Sequence, residues 1–208
     1  MLIRNLIRGL FLMWVALSQG NLLFAQQNWN FPDFSATQVF ASKKSEMAMK
    51  VFRSGSTVRV DRSSAISTLY VTTNRTVYNL TTYPDNSHQC VSMKPEQARM
   101  VPSPLQLILG RVVNRKSAGT EVVQGHSAHI EDVEVEQLDG KTIRSRVWLS
   151  DDQQGIPVQI ESYVGSVTLR ALYRDIVVAA PDANLFRVPD RCTPFEKMGQ
   201  VAETRVLK

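Results

Sequence analysis

Cysteine is scarce in this 208-residue chain, which holds only Cys90 and Cys192. With no CxxC pair and no cysteine–histidine cluster, a zinc ribbon and a dithiol redox motif are excluded. Histidine is nearly as rare, at His88, His126 and His129. There is no GxGxxG and no GxxxxGK[ST], so the glycine-rich loops that cradle dinucleotide or nucleotide phosphates are missing. No apolar run approaches the roughly 20 residues a membrane-spanning helix needs. The net charge of +5 is spread thinly, in pairs such as Lys43-Lys44 and Arg115-Lys116. A nucleic-acid footprint would be a dense basic stripe with interleaved aromatics. What remains, 43% hydrophobic and 21% charged residues, is an ordinary globular balance.

The first residues read as a secretion leader. Arg4 and Arg8 supply the positive region, and Leu10 to Leu17 the short apolar core. A polar break follows, and Ala25 offers a small residue for cleavage before Gln26, with Gly20 as the alternative. No cysteine follows the cleavage site to carry a lipid anchor. The expected organisation is a leader over 1–25, one domain over 26–198 and a polar tail over 199–208. The expected location is periplasmic or secreted. In that oxidising compartment an even pair of cysteines reads as one Cys90–Cys192 disulfide, with two unpaired thiols as the alternative.

After an irregular opening from Asn28 to Asp33, the chain alternates apolar and polar residues in short runs broken by turn signals. This is the period of half-buried strands. Strands are predicted over 34–43, 45–53, 57–61, 65–72, 76–83 and 87–93, joined by turns at Ser54-Gly55, Asn74-Arg75 and Pro84-Asp85-Asn86. Further strands are predicted over 119–124, 127–137, 141–149, 156–164 and 167–178. Asp139-Gly140 is the strongest hairpin signal among them.

One segment has a different period. Leu105, Ile108, Leu109 and Val112 fall at i, i+3, i+4 and i+7, with Ser103 as cap and Pro104 at the first helical position. They predict a short amphipathic helix over Pro104–Val113. Asp182 caps a second helical turn holding Leu185 and Phe186. The class is therefore mainly β (α+β). It is a single curved antiparallel sheet of about ten strands, with one or two short helices covering its concave face, because so long a meander must curl to bury one side.

Few residues suggest catalysis. His126 and His129 have HxxH spacing, but residues three apart on a strand point to opposite faces. A metal site there would also need Glu131. Asp132, Glu134 and Glu136 alternate as a solvated face does. No catalytic residue, metal or cofactor is assigned.

Apolar surface is the richer signal. Met47, Met49 and Val51 line one strand face, and Val58 and Val60 the next strand. Leu69, Val71, Tyr78 and Leu80 add to it, as do Trp148, Val158 and Ile160. With Leu105 and Leu109 of the helix, they form either a packed core or the lining of an apolar groove. Flexible methionines favour adaptable binding surfaces.

The C-terminal half carries a family likeness. Gly119-Thr120-Glu121-Val122-Val123-Gln124-Gly125-His126 is followed by Asp139-Gly140-Lys141, then Val147-Trp148-Leu149 and Gly155-Ile156-Pro157-Val158-Gln159-Ile160-Glu161. Pro181-Asp182-Ala183-Asn184-Leu185-Phe186-Arg187-Val188-Pro189 closes the set. Met47 to Asp61 adds paired strands around a glycine turn with an Arg and an acidic residue. Over most of 34–190 this resembles exported bacterial proteins of the LolA/LolB-like lipoprotein-carrier superfamily, especially its DUF4412-like members. The resemblance implies an open half-barrel with helices closing its mouth and an apolar hollow that takes up acyl chains. The carriers' arginine on the first strand has no counterpart, and Cys90 and Cys192 lie outside the pattern.

Together these readings predict a monomeric, non-enzymatic envelope protein binding a lipid, lipoprotein acyl chain or other apolar ligand, as in outer-membrane lipoprotein sorting. Its partners would be a lipid or acylated lipoprotein and a protein of the outer or inner membrane, with no nucleic acid. The alternatives are an envelope sensor or interaction module without a cavity, and a hydrolase or metal-binding protein using His126 and His129.

Overall fold

Alternating residues pair into strands wherever both neighbours offer a matching row. The computed structural model describes residues 29–41, 46–98 and 108–198, and structural statements below concern these. The first meander comprises β1 (Phe34–Ala41), β2 (Glu46–Ser54), β3 (Thr57–Asp61), β4 (Ile66–Val71), β5 (Thr76–Thr82) and β6 (His88–Met93). The second comprises β7 (Arg111–Val123), β8 (His126–Glu136), β9 (Thr142–Ser150), β10 (Pro157–Val164) and β11 (Val167–Val177). β12 (Thr193–Pro194) is a two-residue addition.

β1 pairs with β11, which joins both meanders into one open, curved sheet of twelve strands, ordered β12-β6-β5-β4-β3-β2-β1-β11-β10-β9-β8-β7. All pairings are antiparallel except β12 with β6. Register shifts between Ser35 and Thr37, between Pro157 and Gln159, and at two places in β7 mark bulges. Such bulges bend the strands and raise their twist.

The register sorts side chains by face. One row crosses the first meander as Ala36, Val51, Val60, Thr68, Asn79 and Val91. Its neighbour runs Val58, Tyr70, Val77 and Met93. Most of these residues belong to one core cluster with Val133, Val135, Ile143, Val147, Ile160, Ala171 and Tyr173 of the second meander. Trp29, Phe31 and Phe34 fill the space between, with Ile108 and Leu109. The irregular opening is therefore a plug in the sheet's hollow. A small second cluster of Ala128, Trp148 and Val158 lies on the reverse side.

The predicted helix over Pro104–Val113 needs correction. Ile108 and Leu109 are helical and buried, but Gly110 bends the chain and Arg111 begins β7. The i+7 residue, Val112, reaches the same core as the inward residue of a strand. Residues 104–107 lie outside the described residues, as do the leader over 1–25 and the tail over 199–208. β7 also begins eight residues before the predicted strand at Gly119. The turn after Asp182 forms as expected: Ala183–Phe186 is a 3-10 turn, and the Asp182 carboxylate accepts the Asn184 N–H.

Candidate functional site

The hollow is largely filled, and the free space is at its lip. A cavity of about 580 Å³ opens between the β2–β3 turn, the β4–β5 turn, the start of β7 and the end of β8. Gly55, Ser56 and Val58 form one wall, Thr72 and Arg75 a second, and Ile108 to Arg111 a third. Glu136, Gln137 and Leu138 complete it beside Trp29. This volume lies within the usual range for small-molecule sites. A second cavity of about 360 Å³ is lined by Trp29, Asn30, Phe31, Arg115, Leu149, Gln154 and Gly155. Trp29 walls both.

The opening segment is tied down from several sides. Arg53 donates to the carbonyls of Phe31 and Pro32. The Asp33 carboxylate accepts the Gly55 N–H at 2.7 Å and the Ser54 hydroxyl at 3.2 Å. Gly55 has φ +53°, a left-handed turn conformation glycine adopts without steric cost. Burial pulls the Arg53 guanidinium below its ordinary value, while the Asp33 charge opposes that shift. Trp29 stacks on Phe31 with ring centroids 4.9 Å apart. The Arg115 guanidinium lies 4.6 Å from the Trp29 ring and is 3.0 Å from Glu131.

The first cavity is amphipathic. Val58, Ile108 and Leu109 are apolar, whereas Arg53, Arg75 and Arg111 outnumber the single acid, Glu136. Arg111 Nε donates to Glu136 at 2.9 Å, and Arg75 donates to the Leu138 carbonyl. Arg75 reaches that carbonyl from a left-handed φ of 51°, uncommon for a non-glycine residue. Gln137 and Trp29 are each only 6% exposed. Among the described residues, neither the Gln137 Nε2 nor the Trp29 Nε1 finds an acceptor. Buried donors are normally paired, so two beside one cavity are notable.

The structure spreads the predicted apolar set across two faces. Met49, Val51, Val58, Val60, Leu109 and Ile160 belong to the main core, and only Val58 and Leu109 of the set also line the cavity. Met47 shares the phase of Met49 but is 55% exposed at the strand's start. Leu69 lies opposite Arg59 and Tyr78, while Leu80 lies opposite Ser67 and Cys90. Leu69, Val71, Tyr78 and Leu80 therefore occupy the face away from Val58 and Val60. Trp148 and Val158 form the reverse-side cluster, where Trp148 Nε1 donates to Glu121 at 2.8 Å. Leu105 lies outside the described residues. Sequence reading missed Trp29, Phe31, Arg53, Arg75, Arg111 and Gln137. An aromatic pair at 29 and 31 was the available signal for the plug.

Cys90 and Cys192 form a disulfide that holds β12 beside β6. The histidines form surface pairs instead of a catalytic chain. Ser127 Oγ donates to Asp151 at 2.9 Å, and His129 Nδ1 meets the same carboxylate at 3.1 Å. His126 Nδ1 meets Asp152 at 2.9 Å. Ser127 and His129 thus share an acid without contacting each other, unlike a nucleophile and its base. Hydrogen bonds from His129 and Ser127 hold Asp151 below the ordinary carboxylate range. Those from Ser150 and His126 do the same for Asp152. Among the described residues, no group of three or more His, Cys, Asp and Glu side chains is placed to hold a metal ion.

No family model matches the chain, and no curated protein matches its sequence. The DUF4412-like resemblance therefore rests on the quoted residues alone. Solved structures with similar backbones include MucB, 18% identical over 78% of this chain and 59% of that one, with a TM-score of 0.41. PNGF-II is 11% identical over 85% of this chain and 33% of its own, with a TM-score of 0.42. LprF from Mycobacterium bovis is 13% identical over 74% and 90%, with a TM-score of 0.37. The chain thus spans about three fifths of MucB and a third of PNGF-II. None of these likenesses assigns a function to this chain.

Proposed function

We propose that this is an envelope binding protein that takes a lipid, a lipoprotein acyl chain or another apolar ligand at the lip of its sheet. The cavity of about 580 Å³ beside Trp29, Val58, Ile108 and Leu109 carries the reading. The leader-like order of residues 1–25, the disulfide and the carrier resemblance support the envelope location and the ligand class. The driving force would be desolvation, about 0.8 kcal/mol for each methylene moved out of water. Because the protein's own aromatics fill most of the hollow, the ligand occupies the lip and not a whole barrel.

Native mass spectrometry of gently purified protein tests this. The expected result is a co-purified lipid mass that disappears in Val58→Trp, where a larger side chain fills the cavity. A clean apo mass that stays unchanged after incubation with lipid would overturn the reading.

A second reading has one observation behind it. β7 is a 13-residue edge strand whose middle is exposed, and an edge can accept a peptide by strand addition. Its two bulges blunt that edge. Recovery of a protein partner by lipid-free material that fails to bind lipid would favour this second reading.

A further inference from the structure

The chain leaves β11 at Val177 and pairs next as β12, at the far end of the sheet beyond β6. The strap between them, residues 178–192, therefore crosses the whole first meander. It crosses on the reverse face. Arg59, opposite Leu69 on that face, donates its Nη1 N–H to the Leu185 carbonyl at 2.9 Å. Asp61 and Ser67 hold the same guanidinium at 2.6 and 2.9 Å. Beside them Leu69 is 0% exposed, yet it belongs to neither core cluster of the described residues. A leucine on the outer side of one sheet is buried only beneath another layer. The turn Ala183–Phe186 packs against β3 and is that layer, with Leu185 and Phe186 half-buried.

The strap has little hold of its own. Every residue from 179 to 198 is half-buried or exposed. Among the described residues, its ties beyond Arg59 are the two-residue pairing of β12 with β6, the Gln97–Glu196 hydrogen bond at 2.8 Å and the Cys90–Cys192 disulfide. Cys90 is buried, whereas Cys192 is half-buried and follows the exposed Arg191. We infer that the disulfide is a redox-operated clasp: a dithiol reductant opens it, and the strap then lifts from the reverse face and uncovers Leu69. This goes beyond the lip-cavity reading and does not depend on it. A thiolate of the reductant attacks the more accessible Cys192 sulfur, the S–S bond breaks, and Cys90 leaves as a thiolate that takes up a proton. The reductant's second thiolate then attacks the mixed disulfide, frees the Cys192 thiolate to take up a proton, and ends as the reductant's own disulfide. Two electrons and two protons pass from the dithiol to the protein. Without the covalent tie, a two-residue pairing and a few hydrogen bonds must hold the strap against the chain entropy that the closed loop had suppressed.

The test reduces the protein with dithiothreitol in native buffer, alkylates it with iodoacetamide, removes both reagents and maps side-chain exposure by hydroxyl-radical footprinting. Both cysteines should be alkylated without denaturant. Labelling of Leu69 and Phe186 should then rise at least about fivefold over the oxidised protein, while Val60 of the main core stays unchanged, as a local opening requires. With glutathione, a monothiol, the mixed disulfide should form on Cys192 and leave Cys90 free. The inference is overturned if the bond resists reduction until urea is added, or if glutathione is found on Cys90 alone. It is equally overturned if Leu69 labelling is unchanged after complete alkylation, or if Val60 rises in parallel with Leu69, which marks global unfolding. The double variant Cys90→Ser with Cys192→Ser needs no reductant and should give the same footprint, which keeps the test decisive should the reduced wild type aggregate.

Discussion

Replacing Trp29 by Phe separates the packing role of this residue from its hydrogen-bonding role. The substitution removes buried apolar area equivalent to about two methylenes, or ~1.6 kcal/mol. It also weakens the stacking with Arg115, which contributes about 0.5–1 kcal/mol. Against this, it eliminates an indole N–H that is buried with no acceptor among the described residues, an unfavourable burial of about 1–3 kcal/mol. The opposing effects nearly cancel, so Trp29→Phe should change unfolding free energy by no more than about 1 kcal/mol. Trp29→Ala has no such compensation. It should lose about 3–5 kcal/mol and join the two cavities that Trp29 now separates. Urea denaturation measures both, read as a shift in midpoint at constant slope. A loss above about 3 kcal/mol in Trp29→Phe would refute the reasoning, because it would mean that the N–H is well bonded in the unliganded protein.

Three further predictions concern the scaffold. Replacing Cys90 and Cys192 by Ser should lower stability by about 4–5 kcal/mol, because the bond spans 102 residues; denaturant titration checks this, and a loss under about 1 kcal/mol would contradict it. The Tyr173 hydroxyl accepts the buried Gln38 Nε2 N–H at 2.6 Å, an acceptor that Phe lacks, so Tyr173→Phe should lose about 1–3 kcal/mol in the same assay. Burial pushes the Tyr173 phenol well above its ordinary value of 10.0, with the Gln38 hydrogen bond opposing. Above pH 10 the unfolded tyrosine releases a proton that the folded one keeps, so wild-type stability should decline with rising pH and Tyr173→Phe should flatten that decline. At the acid end, hydrogen bonds from Arg146 hold Asp132 below 3.8, opposed by desolvation. The pair's stabilisation is present above that pH and lost as pH falls through the lower folded value. Both partners are substantially exposed, so Asp132→Asn should remove at most about 1 kcal/mol at neutral pH and flatten the acid limb of a stability–pH profile.

Eleven of the strands were legible because alternation and turn chemistry are local signals. Asp139-Gly140 and Ser54-Gly55 both mark hairpin turns where the sequence places them. β12 was not legible, since a two-residue parallel pairing depends on a distant disulfide and has no period of its own. The helix was overextended because i, i+3, i+4 and i+7 spacing does not register the bend at Gly110, and Val112 is buried equally well by a strand. Face assignment across strands was the larger gap. Leu69 and Val60 each alternate correctly within their strands, but only the pairing of Leu69 with Arg59 shows that they lie on opposite faces. The polar wall of the cavity was invisible for a similar reason. Arg53, Arg75, Arg111 and Gln137 belong to four separate strand ends or turns, and only the curl of the sheet gathers them.

Tryptophan fluorescence tests the ligand's position most directly. The chain has three tryptophans, Trp14, Trp29 and Trp148, and the last two lie on opposite faces of the sheet. In a Trp14→Phe background, a bromine-labelled fatty acid should quench the Trp148→Phe protein, which retains Trp29, saturably and at low concentration. The Trp29→Phe protein, which retains Trp148, should keep its emission. Equal quenching of both proteins, or quenching of Trp148 alone, would contradict an apolar chain lodged at the lip of the hollow.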